Sequence, residues 1–294
     1  MPTDYRRFNG PEGGVPYLRY TQDFKKSYDE ISNQLTDEKG LRKDGRVVEE
    51  SRASCMFYAK PDVVSQAKGS AYIEMKKTKV ICSVFDPREI PRQNEFSEIG
   101  QLFCEVKFAP FSYPLHRRPL APEPDEKALS MALKAALEPA VCRHLFPNYQ
   151  VDIYVYILEN DGACLAAAIN AAGIALINAA VPMYDIITAC SAAVINDRIF
   201  VDPSEIEERV AINCSDATNH GVATMSMLHG LRQVSDFTQI GSMDSDCLIK
   251  VMDVLEIQCE KFVPYVKQVV VKDVLKSFKL KVDLDKEEKK REEQ

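Results

Sequence analysis

The chain has 294 residues, 46% of them hydrophobic and 28% charged, a balance that suits a folded globular chain with a sizeable core. No run of about 18 apolar residues occurs, which argues against a membrane-spanning helix. The formal net charge of −7 counts against a protein that grips nucleic acid alone over a broad basic face, though a local basic patch remains compatible with it.

The first 40 residues are polar and aromatic. Pro2, Pro11, Gly13, Gly14 and Pro16 deny them regular structure, which predicts an extended arm that either docks Tyr5, Tyr17 and Tyr20 on another surface or stays loose. The arm has no apolar leader core, so an intracellular protein is expected. Short β-rich runs follow at Ser54–Ala59, Ser70–Met75, Lys79–Phe85 and Leu102–Phe108, with the proline-bearing stretch Asp86–Gly100 as a loop between them. Asp125–Leu145 carries apolar residues at helical spacing, with acids at its start and Pro147 beyond its end. Val151–Leu158 alternates as a strand does.

Cys164–Ala180 is apolar nearly all round, as a helix buried at the centre of a fold must be. Ile186–Ile195 and Arg198–Asp202 predict a hairpin around Asn196-Asp197, and Val222–Leu228 and Val234–Ile240 continue the sheet. Asp246–Phe278 is periodic but holds Pro264, so it reads as one kinked helix or two short ones. The tail 279–294 is charged and reads as disordered or as frayed helix. The order of elements predicts an α+β (mixed α/β) single domain, with helices packed on a mixed sheet.

Nine cysteines are scattered without a C-x-x-C pair, and Cys82, Cys104, Cys142 and Cys190 sit in apolar runs as small hydrophobes. Reduced thiols in a reducing compartment are expected. The four histidines, His116, His144, His220 and His229, form no ligand spacing with them, so neither a metal nor another cofactor is expected.

Several segments in order resemble the RNase PH family. Leu41-Arg42-Lys43-Asp44-Gly45-Arg46 resembles its R-x-D-G-R opening, and Gly69-Ser70-Ala71 with Thr78-Lys79-Val80 resembles its next two strands. Phe108-Ala109-Pro110-Phe111-Ser112 is similar to its F-x-P-F-S strand end, and Ala180-Val181-Pro182-Met183-Tyr184-Asp185 to its A-G-I-P-M-x-D turn. The resemblance covers about residues 41–277 and implies an RNase PH-like domain over 41–278.

Asp161-Gly162-Ala163-Cys164 resembles the family's phosphate-binding turn, where active members carry Ser or Thr and then Arg at the places of Ala163 and Cys164. Acids and prolines in Leu120–Lys127 stand where arginines are expected. The catalytic G-x-A-D segment has no counterpart in Ser215–Gly221, where Asp216 reads as a displaced equivalent or a solvated acid, and His220 lacks a visible partner. The resemblance therefore implies a chain with no catalytic residue of its own, a structural member of the RNA exosome ring. It implies pairing with other RNase-PH-like subunits in a hexamer, cap subunits with RNA-binding folds, and an associated hydrolytic nuclease fed with RNA through the channel. Nuclear, nucleolar and cytoplasmic work follows from the same resemblance. An active phosphate-dependent 3′–5′ exoribonuclease and an RNA-binding module acting alone are the alternatives.

For RNA contact the candidates are His116, Arg117 and Arg118, with Lys107 and Arg92 beside them and Phe111 for base stacking. Arg117 and Arg118 could equally bridge to acids of a neighbouring subunit.

Overall fold

The structure, a computed structural model, describes residues 28–32, 35–36, 41–42, 45–48, 50–51, 57–90, 96–112, 123–214 and 219–292, by backbone alone at 29–30, 277 and 280–292. Two sheets, rather than the one expected, sandwich a central helix. The first has six strands: β1 (Phe57–Pro61), β2 (Gly69–Met75), β3 (Thr78–Val84), β4 (Arg88–Glu89), β5 (Gln101–Phe108) and β6 (Tyr149–Glu159). The β1-β2-β3-β6 ladder is antiparallel, and β5 joins β6 in parallel. A parallel neighbour needs a crossover, and after the short helix α1 (Tyr28–Ser32) the next described helix, α2 (Pro124–Leu137), lies in that crossover between β5 and β6.

The second sheet is antiparallel, in the order β10 (Gln233–Ser242), β9 (His220–Leu228), β7 (Ile187–Ile195), β8 (Arg198–Val201). The β7–β8 hairpin turns at Asn196 and Asp197, both at positive φ, as the sequence predicted. Strand patterns along a sequence do not say which sheet a strand joins. The divider is α3 (Cys164–Asn178), whose residues Ala166 to Leu176 are all buried because it packs on β2 and β3 on one side and β7 on the other. Small side chains allow that approach: a Cβ on Gly69 would lie 2.3 Å from the Ala179 nitrogen.

The helix expected over Asp125–Leu145 stops at Leu137, two residues before Pro139, and a 3-10 turn takes up Arg143–Leu145. Its start is a capping box of Glu123 and Glu126 with Pro124 at the first helical position. The stretch Asp86–Gly100 contains the short β4 within what was expected to be loop. A helix that the strand reading passed over, α4 (Glu205–Asn213), follows β8. Its signal was present in the sequence as Ser204-x-x-Glu207, which forms a capping box.

α5 (Ser245–Glu292) is one helix assigned through Pro264 and on through the charged tail. Apolar contacts on both sides of Pro264 oppose the lost backbone bond: Val251, Leu255 and Cys259 pack under Met225 and Ala192 of the second sheet, and Phe262 and Val266 reach the first core cluster. The Lys-, Glu- and Leu-rich tail has high helix propensity, which favours continuing the helix once it is nucleated. The other face of the second sheet packs on α4 and on Leu35, just beyond α1 (Tyr28–Ser32).

Burial pushes the Cys82 thiol far up and the Cys104 thiol to about 12, the behaviour of packing residues rather than nucleophiles. No described helix is long and apolar enough to cross a membrane.

Candidate functional site

Strand β6 ends at Glu159, and Asn160 to Ala163 turn the chain into α3. The turn needs two left-handed residues, Gly162 at φ 86° and Ala163 at φ 52°. Ala163 is buried and occupies the N-cap of α3 without offering a capping oxygen, where helices favour Ser, Thr, Asp or Asn. Cys164 follows as the first helical residue, half-buried against the core.

Backbone N–H groups at such a junction converge on anything negative, because they are unpaired by the helix and carry its positive dipole end. The three N–H groups that lead into the helix, those of residues 161 to 163, each have an acceptor from the protein itself. Asp161 N–H donates to Thr78 Oγ1 at 3.2 Å, Gly162 N–H to Asn160 Oδ1 at 3.0 Å, and Ala163 N–H to the Glu208 carboxylate at 2.6 Å. Thr78 in turn donates to the Gly162 carbonyl at 2.9 Å.

Glu208 reaches the turn because α4 begins against it. A Cβ on Gly162 would lie 2.4 Å from the Pro203 carbonyl oxygen, so the two segments touch backbone to backbone. The same approach brings acids together. Burial pushes the Glu205 carboxyl above the ordinary glutamate range and Asp161 adds to this, while Arg209, 3.8 Å away, opposes it.

The arginines of the opening motif are turned inward. Arg42 is buried, pairs with Glu207 at 3.6 Å, donates to the Val48 carbonyl and lies 5.3 Å over the Phe200 ring. Arg46 donates to the carbonyls of Glu50 and Asp202, and Ser51 to the Asp202 carboxylate. They fasten residues 41–42, 45–48 and 50–51 to the start of α4.

Of the acids near residue 123, Glu126 is also structural. One carboxylate oxygen accepts the Phe108 N–H at 3.0 Å and the other the Glu123 N–H at 3.3 Å. It caps α2 and holds the end of β5, a role that the charge pattern did not reveal.

Among the RNA candidates, Lys107 lies in β5 with its amine 2.9 Å from Glu105, and the hydrogen bond to that carboxylate raises its pKa. Phe111 is 71% exposed in the turn Ala109–Ser112, whose Ser112 carbonyl accepts the Asn160 N–H at 3.2 Å. An exposed aromatic thus stands on the turn bonded to the α3 junction. Arg92, His116, Arg117, Arg118 and Asp216 lie outside the described residues. His220 opens β9 opposite Ile195 and Ser242. No group of three or more His, Cys, Asp and Glu among the described residues could hold a metal.

Two sheets around an alanine-rich helix, entered through a glycine turn from β6, define a two-sheet α+β domain. The family model described as the 3′ exoribonuclease family, domain 1, matches residues 56–182, and the chain belongs to this RNase PH family. Its relatives there are exosome components. It is 34% identical over 228 residues to exosome complex component MTR3 of Homo sapiens, covering 72% of this chain and 76% of that one. It is 32% identical over 224 residues to exosome complex component Rrp41 of Cenarchaeum symbiosum (strain A), covering 75% and 90%.

Solved structures share the fold. Rice (Oryza sativa) Rrp46 superimposes with a TM-score of 0.64 at 21% identity, over 78% of this chain and 100% of that one. A chain of the Archaeoglobus fulgidus exosome with RNA bound to the active site superimposes at 0.69 and 20% identity, over 81% and 98%.

Proposed function

We propose that the chain is a non-catalytic ring subunit of an RNA exosome. It pairs with another RNase-PH-like subunit in a hexameric ring beneath cap subunits with RNA-binding folds. It helps to shape the channel that guides RNA 3′ ends to a separate hydrolytic nuclease, in rRNA maturation and RNA turnover in the nucleus, nucleolus and cytoplasm.

One observation carries the reading: the Glu208 carboxylate sits on the Ala163 N–H, in the turn that resembles the family's phosphate-binding turn. Phosphorolysis needs inorganic phosphate in line with the terminal linkage, and positive groups to carry its charge. Ala163 supplies no hydroxyl and Cys164 no guanidinium. Each charge-assisted bond missing from an anion is worth roughly 1.5–3 kcal/mol, so two amount to about 3–6 kcal/mol, or on the order of 10² to 10⁴ in rate. The Glu208 carboxylate on the Ala163 N–H adds repulsion toward an anion there. The RNA-contacting role rests on exposed Phe111, with His116, Arg117, Arg118, Lys107 and Arg92 as the remaining candidates.

The phosphorolytic alternative draws on the 32% identity to an archaeal Rrp41 and on the archaeal exosome with RNA in its active site. Native mass spectrometry of the complex isolated from its own cells, followed by incubation with end-labelled RNA and inorganic phosphate, separates the two. A heteromer with one copy of this chain and no phosphate-dependent release of nucleoside diphosphates is expected. A homo-hexamer, or a complex that releases nucleoside diphosphates only when phosphate is present, would overturn the proposal.

A further inference from the structure

The distal part of α5 carries an apolar stripe that the described residues leave largely exposed. Val271, Val274, Leu275 and Phe278 are each 55–66% exposed, at the i, i+3, i+4, i+7 spacing that puts four side chains on one helix face. Helices of globular proteins turn such a face toward a core, and here the body-facing residues are different ones: Phe262, Val266, Val270 and Asp273. The stripe therefore runs along the flank of the helix, in addition to the packed side.

It also runs into a groove. Ile174, Ile177 and Asn178 at the end of α3, Pro61 at the end of β1, and Val270, Asp273, Val274 and Phe278 line a cavity of about 260 Å³. Its floor is fixed by hydrogen bonds: Asn178 Oδ1 accepts the Ser70 N–H at 3.0 Å while its amide donates to Asp273 at 3.4 Å. Two of the four stripe residues, Val274 and Phe278, form its outer wall.

The third observation is charge. Lys272, Lys276 and Lys279 are exposed at i, i+4 and i+7, about 80–140° around the helix from Val271, on the solvent side of the stripe. No ion pair with a described residue occupies any of them, and the one acid in this stretch, Asp273, is turned to Asn178. Three lysines without an ion pair to any described residue thus give one side of the apolar stripe a local positive charge, in a chain of net charge −7. Apolar anchors give such a surface its affinity, and the lysine row selects the sign of what lies alongside.

We propose that this groove and stripe are a docking site for an acidic segment of a partner protein, with aliphatic or aromatic anchors for the groove and Glu or Asp opposite Lys272, Lys276 and Lys279. The groove lies at the C-terminal end of α3, opposite the junction at its start, and the proposal stands whether or not the chain is catalytically silent.

The test is a charge swap on the full chain. The probe is a fluorescent 16-residue helical peptide with Leu and Phe at i, i+3, i+4 and i+7 and Glu on its flanks, compared with the same peptide carrying Lys for Glu and with labelled oligouridylate. The acidic peptide is expected to bind at least tenfold more tightly than the basic one. V274E/F278E should lose that binding at least tenfold, and K272E/K276E/K279E should reverse the preference. Those substitutions are at exposed positions, and an unchanged thermal melt will show that each variant is folded. Equal binding of both peptides, lysine reversal that weakens oligouridylate but neither peptide, or an apolar variant that only dissolves a self-dimer in sedimentation would each overturn the proposal.

Discussion

Asn170 lies in the middle of the most apolar helix of the protein and is 1% exposed. Its amide donates to the Ala189 carbonyl and its carbonyl accepts the Ala189 N–H, both at 2.8 Å. Ala189 belongs to β7, where β9 lies along one edge but β8 covers the other only from Ala192 to Ile195. Beyond the end of β8, Asn170 therefore stands in for a strand and joins α3 to the second sheet. Replacing it leaves two buried backbone groups without partners, each costing about 1–3 kcal/mol. The loss for Asn170→Leu, which keeps the side-chain size, is thus about 2–6 kcal/mol, with a similar or larger loss for Asn170→Ala. With a urea m-value on the order of 3 kcal/mol/M, a 4 kcal/mol loss lowers the unfolding midpoint by about 1.3 M. Urea unfolding followed by far-UV circular dichroism measures it. A Leu variant within about 1 kcal/mol of the parent would mean that volume, and not the paired hydrogen bonds, holds this junction, and the reasoning would fail.

Gly162→Ala and Gly45→Ala form an informative pair, since both glycines have positive φ, at 86° and 79°. The Cβ at position 162 meets the Pro203 carbonyl at 2.4 Å, whereas at 45 no described residue lies within 4 Å. Left-handed strain alone predicts a loss of about 1–2 kcal/mol at 45, and strain plus backbone collision about 2–5 kcal/mol at 162; equal losses in thermal melts would contradict the close contact. Glu205 gives a pH signature. Its folded pKa is raised, so the folded state takes up this proton at a higher pH than the unfolded chain does, and acidification through that window favours folding. Glu205→Gln should therefore be more stable than the parent at pH 7, with the gap closing as pH falls toward the ordinary glutamate value of about 4.3. A gap that stays constant or widens on acidification in urea titrations at several pH values would show that burial does not govern this carboxyl.

Strand and helix positions were legible in the sequence wherever burial follows period: the alternation of β6, the all-round apolar α3 and the Asn196-Asp197 hairpin each appear where their patterns put them. The motifs that mark the RNase PH family were legible too, because a glycine beside a strand or an arginine beside an acid is a local statement. α4 was written in its Ser204–Glu207 capping box and went unread, and Pro139 had already marked the end of α2.

Partnership over distance was not legible. That the strands split into two sheets depends on α3 being wanted by both, and a run of alanines states its apolarity without naming its neighbours. That Glu208 rather than an external anion satisfies the Ala163 N–H depends on the close approach of residues 45 positions apart. In the sequence Glu126 is one of the acids at a helix start and Asn170 one polar residue within an apolar helix, yet each is a bridge whose other end is fixed by the packing. The sequence by itself determined which residues seek a core and which turn the chain, since these are properties of single side chains and their period. Only the tertiary structure decided which polar atoms meet, because a hydrogen bond in a core is made between groups that the chain brings together last.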